Sequence, residues 1–337
     1  MRGWERAISP IAVMVVMAEI GDRKTFSSRR KRRTGCKLGA MSVARTVRML
    51  AFVLAWLMPW RIARTSAVPS RLIFYVYRRD AIGRHIAKYG THEPLLTRWL
   101  ANYLKDAPRG LFVDVGANIG WHTLHAAQQR TIELVVAFEP DPLNASLLER
   151  NIRVNALTNV IVSACAVGAR PGTIRLFRYK GSNFGRHSVL TDYGYGSHSV
   201  SAIDLDSALT QLQLERRPIA VLKIDVEGFE PAVIEGASEM LERTNIVILE
   251  YSPELSRAGK LNINGMFERL QNFGFTPFAL LASGGVARID IGELNELEGS
   301  IDLVWGKPNA VTSLDEQVRE RVSLRDTAEQ NKHVKTP

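Results

Sequence analysis

The stretch Val113-Asp114-Val115-Gly116-Ala117-Asn118-Ile119-Gly120 decides the fold. It closes a short apolar run at residues 111–115, rich in strand formers, and leads into residues 121–129, which read as a helix. A strand that breaks into a glycine turn and then a helix is the opening unit of a doubly wound sheet. Such sheets bind ligands beyond the carboxyl ends of their strands, where the strand order reverses. Gly116 allows a sharp turn and a close approach of ligand to backbone. Asn118 tolerates a left-handed conformation almost as well as glycine, and Gly120 leaves room for the helix to pack on the strand. A carboxylate at Asp114 suits a ligand carrying an ammonium group. Asn118 stands where a GxGxxG motif would have its second glycine, which weakens a dinucleotide reading.

Working outward, strands are expected at residues 133–138, 160–167, 219–224, 246–250, 276–281 and 301–305, beside the one at 111–115. Helices are expected at 94–105, 142–154, 231–243 and 264–273, the first two opening on Pro94 and Pro142. Strands alternating with helices predict parallel pairing through right-handed crossovers, and continuous apolar runs predict strands buried on both faces. The fold class is α/β, a Rossmann-like doubly wound, mostly parallel seven-stranded sheet. Residues 173–179 alternate as a strand, and residues 181–198, rich in Gly, Ser, Tyr and His, read as an excursion loop.

Glu139, in Phe138-Glu139-Pro140 at the end of the second strand, lies 19 residues after Gly120. An acid about 20 residues after the turn is placed to accept hydrogen bonds from two ribose hydroxyls. The turn alone allows a dinucleotide or a sulfonium nucleoside, and Asn118 with Glu139 favours the sulfonium. The cofactor-binding set is Asp114, Gly116, Ala117, Asn118, Gly120, Glu139 and Pro140. The fourth strand ends in Lys223-Ile224-Asp225-Val226-Glu227-Gly228-Phe229-Glu230. Transfer to a hydroxyl needs a base or an orienting acceptor. Asp225 is the first candidate and Glu227 the second, while Glu230 reads as a helix cap and Lys223 as a partner for one of the acids. In the excursion loop His187, and less so His198, are candidates to touch the acceptor, and Asn183, Gly185 and Ser188 read as part of a cover over its pocket.

The charge is uneven. Residues 1–84 hold 18 of the 44 Lys/Arg and 4 of the 34 Asp/Glu, leaving 26 and 30, a balance of −4, for the rest. A mildly acidic body argues against a nucleic-acid groove. Residues 1–70 read as a basic extension, disordered or membrane-peripheral, residues 71–307 as the folded domain, and residues 308–337 as a charged tail. The apolar runs 8–17 and 49–60 fall short of the roughly 20 residues that span a bilayer. The second is flanked by Arg45, Arg48, Arg61 and Arg64, which suggests peripheral membrane contact through residues 41–64. Met41 offers an alternative start. Cys36 and Cys165 are not expected to pair, no Cys/His cluster points to a metal, and a cytoplasmic, possibly membrane-peripheral location is expected.

Residues 113–120, Phe138-Glu139-Pro140 and 223–228 together resemble the FkbM family of methyltransferases, in the family's order and spacing from about Glu93 to Leu281. Smaller matches are Asn151, Gly168, the loop 183–188 and Leu205-Asp206. The resemblance implies a class I methyltransferase fold, S-adenosylmethionine as cofactor, and methylation of a hydroxyl on a sugar, glycolipid or other small natural product. Two rivals are weaker: a nicotinamide-dependent oxidoreductase lacks its GxGxxG, and a non-catalytic module would not need Asp114, Gly116 and Glu139 intact. A nucleic-acid methyltransferase would carry an Asn/Asp-Pro-Pro-Tyr/Phe tetrapeptide after the fourth strand, and this chain does not.

Overall fold

Alternating apolar side chains form a hairpin, β1 (Ile62–Ser66) antiparallel to β2 (Ile73–Tyr77), which buries Phe74 and Val76. The computed structural model describes residues 49, 62–180, 183–281, 283–294, 300–308 and 310. Strand β1 lies before the boundary expected at residue 70, so regular structure reaches back to Ile62. The apolar run 8–17, residues 50–60 and Cys36 lie outside the described residues. Among those described, no helix is long and apolar enough to cross a membrane.

Helix α1 (Ala81–Tyr89) starts where the Asp80 carboxylate accepts the Gly83 N–H, and α2 (Pro94–Asp106) opens on its proline. The alternation then runs β3 (Gly110–Val115), α3 (Trp121–Ala127), β4 (Ile132–Phe138), α4 (Pro142–Val154, capped by Asp141) and β5 (Val160–Ser163). After an excursion through β6 (Ala166–Val167), β7 (Gly172–Phe177) and β8 (Ser197–Ile203) come α5 (Leu205–Gln211) and β9 (Ile219–Ile224). The chain continues as α6 (Glu230–Glu235), α7 (Ser238–Glu242), β10 (Thr244–Tyr251), α8 (Pro253–Ala258) and α9 (Ile263–Asn272). It closes with β11 (Thr276–Leu280), β12 (Val286–Arg288), α10 (Ile291–Leu294) and β13 (Ile301–Gly306).

The main sheet has the order β12-β11-β13-β10-β9-β3-β4-β5. Strands β10, β9, β3, β4 and β5 pair in parallel, while β13 inserts antiparallel between β10 and β11. The seven strands expected are present, and the three-residue β12 adds an eighth at the edge. Every residue of β3 and β9 is buried, as the apolar runs required. Leu96, Trp99 and Leu100 of α2 cover Phe112, Val221 and Ile248 on one face. On the other, Leu209, Val233, Met240 and Phe267 cover Val113, Leu222 and Val247. The hairpin packs Phe74 and Val76 against Trp121, Leu124 and Leu148. Asn151 stitches it down: its amide oxygen accepts the Tyr75 N–H, and its NH2 donates to the carbonyls of Tyr75 and Ile119.

Three expectations change. The apolar run 160–167 is two strands, because β5 pairs with β4 while Ala166 and Val167 turn away to pair with β8. The excursion is itself a three-stranded sheet of order β6-β8-β7. The helix expected at 231–243 is interrupted at Gly236, where a side chain would meet the Gly168 carbonyl oxygen at 2.4 Å. A new helix starts there because the Asp206 carboxylate, from α5, accepts the N–H groups of Glu239 and Met240.

Candidate active site

A cavity of about 630 Å³ opens at the carboxyl ends of β3, β4 and β9, where the strand order reverses, and its size suits a small-molecule site. Asp114, Glu139 and Asp225 all line it. The turn after β3 is left-handed at Gly116 (φ 82°), Asn118 (φ 51°) and Gly120 (φ 90°). A side chain on Gly116 would lie 1.9 Å from the carbonyl oxygen of Asp225, so only glycine lets β3 and β9 approach there. At Gly120 it would meet Leu148 of α4 at 2.3 Å. Gly116→Ala is therefore expected to abolish detectable cofactor binding and to lower the thermal midpoint by several degrees, since left-handed alanine alone costs about 1–2 kcal/mol. Calorimetric binding and a melting curve check it; wild-type values in both would mean that the turn relaxes freely.

The N–H groups of this turn are already used. Those of Gly116 and Ala117 donate to the Phe138 carbonyl at 3.0 Å each, and that of Gly120 to the Ala117 carbonyl at 2.8 Å. Asn118 donates to Glu139 Oε2 at 2.8 Å, and Ile119 to the Asn118 side-chain oxygen at 2.7 Å. The turn itself therefore offers a pyrophosphate no free N–H donor, which weakens a dinucleotide reading.

Asp114 is 1% exposed. Its Oδ2 accepts the Thr123 hydroxyl at 2.6 Å, and its Oδ1 is buried without a partner. An orphaned carboxylate oxygen in a cavity wall fits an ammonium group brought by a ligand. Glu139 is held at the end of β4 by two N–H donors, Asn118 on Oε2 and Asp141 on Oε1 at 2.9 Å. Burial pushes it up to about 7 against the pull of those two bonds. Each oxygen keeps a lone pair for a hydroxyl. Beside it Asn144 has a buried amide oxygen without a partner, and Pro140 completes this wall.

Beyond β9 the site is ionic. Lys223, 4% exposed, donates from Nζ to Asp225 Oδ2 at 3.0 Å. Burial alone would lower the Lys223 ammonium, but Asp225, Asp114 and Glu93 outweigh it and hold it above its ordinary range. Burial would likewise raise Asp225, yet the Lys223 ammonium and a hydrogen bond with Glu250 keep it below the usual carboxylate range. Glu227, left-handed at φ 53°, places Oε2 3.7 Å from Arg186 Nε. Glu230 stands in the first turn of α6, at the positive end expected for its charge, and its Oε1 also accepts the N–H groups of Val226 and Gly228, shaping the turn that presents Asp225 and Glu227.

Sequence reasoning missed a second group on the same cavity, His92, Glu93 and His122. Glu93 precedes α2 at φ 42° and makes no helix-capping bond; its carboxylate instead faces His122 Nε2 at 2.7 Å and His92 Nε2 at 3.4 Å. Burial opposes its charge, but the two imidazoles and Lys223 hold it well below the ordinary range. Burial pushes His92 down to about 4, against Glu93, so it is neutral near pH 7. His122 has a buried Nδ1 without a partner. The only sequence sign of this group was Glu93 standing at the start of the family resemblance.

The excursion loop packs against the glycine turn that follows β3. The Asp80 carboxylate that caps α1 also accepts the Phe184 N–H at 2.7 Å, and Gly185 sits against Ile82 and the Asn118 amide. His187 lines the cavity with its ring engaged: Nδ1 accepts the Tyr179 N–H at 3.0 Å, and Nε2 faces Asp141 at 3.8 Å. Ser188 lies buried, its hydroxyl accepting from Leu190 and Thr191. His198 lies on β8, away from the cavity wall. Among the described residues no cluster of His, Cys, Asp and Glu could hold a metal ion.

Residues 114–277 match the methyltransferase FkbM domain. The chain is 26% identical over 185 residues to the 2-O-methyltransferase NoeI of Sinorhizobium fredii, a match covering 50% of this chain and 74% of that protein. It is 31% identical over 137 residues to the hexuronic acid methyltransferase AglP of Haloferax volcanii, covering 41% of this chain and 54% of that protein. The chain thus spans about half the length of the second relative. Among solved structures, a SAM-dependent methyltransferase from Agrobacterium tumefaciens aligns at a TM-score of 0.40 with 10% identity, over 74% of this chain and 72% of that one. The fold assignment rests on the sheet order, not on that likeness.

Proposed function

We propose, from the match of residues 114–277 to the methyltransferase FkbM domain, that this chain methylates a hydroxyl group of a sugar, with S-adenosylmethionine as donor. The observation that carries this is one cavity with an orphaned carboxylate oxygen at Asp114, a ribose-spaced acid at Glu139 and a charged cluster at Asp225. Bound there, the cofactor supplies a methyl group already activated as a sulfonium. Asp114 takes the ammonium, Glu139 the ribose hydroxyls, and Gly116, Ala117, Asn118, Gly120 and Pro140 shape the wall between them. Asp225 orients the acceptor hydroxyl, with Glu227 and Glu93 beside it. His187 ties the covering loop to α4 through Tyr179 and Asp141, a positioning role, since accepting a proton at Nδ1 would break its bond to Tyr179. The name of NoeI supports transfer to oxygen, and that of AglP supports a sugar-acid acceptor. The basic flanks of residues 41–64 support peripheral membrane contact at the cytoplasmic side, although Ile62–Arg64 already belongs to β1.

Glu139 supplies the test. Unliganded, it is half-protonated at about pH 7. Two hydroxyl donors prefer the ionised form, so binding releases a proton and affinity for S-adenosylmethionine should rise from pH 6 to pH 8. The expected gain is about tenfold, most of it below pH 7. Glu139→Gln should bind about tenfold or more weakly at pH 8 and lose the pH dependence. Calorimetry at the two pH values, followed by labelled methyl transfer to a sugar panel, checks both parts. A wild-type protein that does not bind S-adenosylmethionine would sink the proposal.

A further inference from the structure

Three tyrosines of the excursion loop gather beside Arg186 of the cavity wall, and the chemistry above uses none of their rings. Tyr179 packs edge-on against Tyr193 at 4.8 Å between ring centres and lies 6.5 Å from Tyr195. Arg186 and Lys180 stand 5.3 and 5.4 Å from the Tyr179 ring. Arg186 and its ion-pair partner Glu227 both line the cavity, so the cluster is continuous with it. Tyr195 is 57% exposed. Its neighbours Gly194 and Gly196 are left-handed, at φ 78° and 86°, and a side chain on either would meet nothing within 4 Å. These glycines therefore serve backbone direction rather than close packing. The Asp192 carboxylate accepts the Gly194 N–H at 2.8 Å, and the Gly196 carbonyl accepts the Arg178 N–H at 2.8 Å. The loop is thus built to project Tyr195 while its base is held to β7.

A single exposed ring needs no ligand, but three tyrosines grouped on a structured loop beside the cavity wall, one of them displayed to solvent, point to one. Tyrosine offers a flat apolar face with a polar edge, which matches a pyranose ring with an apolar C–H face and hydroxyls around its rim. The charge specifies more. Arg178 and Lys180 are exposed, and neither is within ion-pair distance of a carboxylate among the described residues, so the rim suits an acidic ligand.

We propose that Tyr179, Tyr193 and Tyr195, with Arg178 and Lys180, form a subsite for the sugar rings of an acidic glycan beyond the ring that is methylated, an inference that rests on the sugar-acceptor reading of the cavity. The acceptor is then an oligosaccharide or longer chain, and the platform sets its register.

The test measures binding by the full chain loaded with S-adenosylhomocysteine, using a glucuronate-containing tetrasaccharide, free glucuronic acid, and phosphatidylglycerol vesicles as probes. The wild type should bind the tetrasaccharide more tightly than the monosaccharide. Tyr195→Ala, at an exposed position that leaves the core untouched, should weaken tetrasaccharide binding about fivefold or more. Lys180→Ala should weaken it about threefold, with the loss shrinking at high salt. Neither variant should change the affinity for glucuronic acid or for S-adenosylmethionine. Equal tetrasaccharide affinity in wild type and Tyr195→Ala overturns the platform, as does a wild type that binds tetrasaccharide no better than monosaccharide. A variant that loses only vesicle binding also overturns it, in favour of a membrane contact. Absence of S-adenosylmethionine binding is a separate result, which would remove the methyltransferase reading.

Discussion

Replacing Lys223 with methionine is expected to destabilise the protein by about 3–5 kcal/mol, the usual cost of removing one partner from a buried ionic cluster. Lys223 sits on the central strand β9, in register with Asp114 on β3, and the charges of Asp225, Asp114 and Glu93 all converge on its ammonium. Methionine matches its length and leaves those carboxylates buried without a cation. The pH dependence identifies the cause. Asp225 and Glu93 are held below their ordinary range in the folded chain, so their contribution to stability is present above the unfolded carboxylate value of about 4 and is lost as pH falls through the lower folded values. Without Lys223 the share that comes from Asp225 is largely lost, while His92 and His122 keep most of that from Glu93. Denaturant unfolding should show the largest gap between wild type and variant above about pH 5, narrowing toward pH 3. A gap that stays constant across this range would mean that Lys223 contributes packing and not charge. The double variant Lys223→Met, Asp225→Asn should recover part of the loss, because it removes one of the stranded charges.

The sheet was legible in the sequence because its strands are buried on both faces, so 111–115, 133–138, 219–224 and 246–250 are near-continuous apolar runs that no amphipathic helix would show. The break within 160–167 was not, because nothing in Val-Ile-Val-Ser-Ala-Cys-Ala-Val marks the residue at which pairing passes from β4 to β8. The interruption at Gly236 depends on a carbonyl 68 residues earlier, at Gly168, and on a carboxylate from α5, both contributed by tertiary structure. The turn after β3 was legible for a similar reason to the sheet: Gly116, Asn118 and Gly120 are needed for backbone geometry, which is a local property. The family resemblance then linked that turn to Glu139 and to the tip of β9. The group formed by His92, Glu93 and His122 has no local signature. Glu93 and His122 lie 29 residues apart and meet only because α2 and α3 both begin at the cavity. Lys223, read from sequence as a partner for one of the nearby acids, does bond Asp225, but the wider convergence on it becomes visible only once β3 and β9 lie side by side.

Asp225→Asn is expected to lower turnover by a factor of about 10²–10⁴ while leaving the affinity for S-adenosylmethionine within about twofold. The backbone of Asp225 is clamped to β3: its N–H donates to the Val115 carbonyl at 3.0 Å, and its carbonyl oxygen presses on Gly116. That clamp fixes the carboxylate at the cavity wall, and asparagine keeps both its shape and the backbone contacts. What asparagine lacks is the charge. As a methyl group passes to a hydroxyl oxygen, positive charge builds up on that oxygen and its proton becomes acidic, so an anion beside it stabilises the transition state more than the ground state. Because Lys223 holds Asp225 below the ordinary carboxylate range, Asp225 is a weak proton acceptor and a persistent negative charge. Orientation and charge stabilisation are therefore its main contribution. The C–O bond forms as the methyl leaves sulfur, S-adenosylhomocysteine departs, and the strongly acidic proton on the methylated oxygen passes to the carboxylate or to water. The turnover of the wild type should show no ionisation of Asp225 at any pH above about 5. Once an acceptor is in hand, steady-state kinetics with separate calorimetry of the cofactor decide the matter. Turnover lost with cofactor affinity intact places Asp225 at the reacting oxygen. An equal fall in both would make it part of the cofactor wall, leaving Glu93, the other low-lying carboxylate in the cavity, as the group that orients the acceptor.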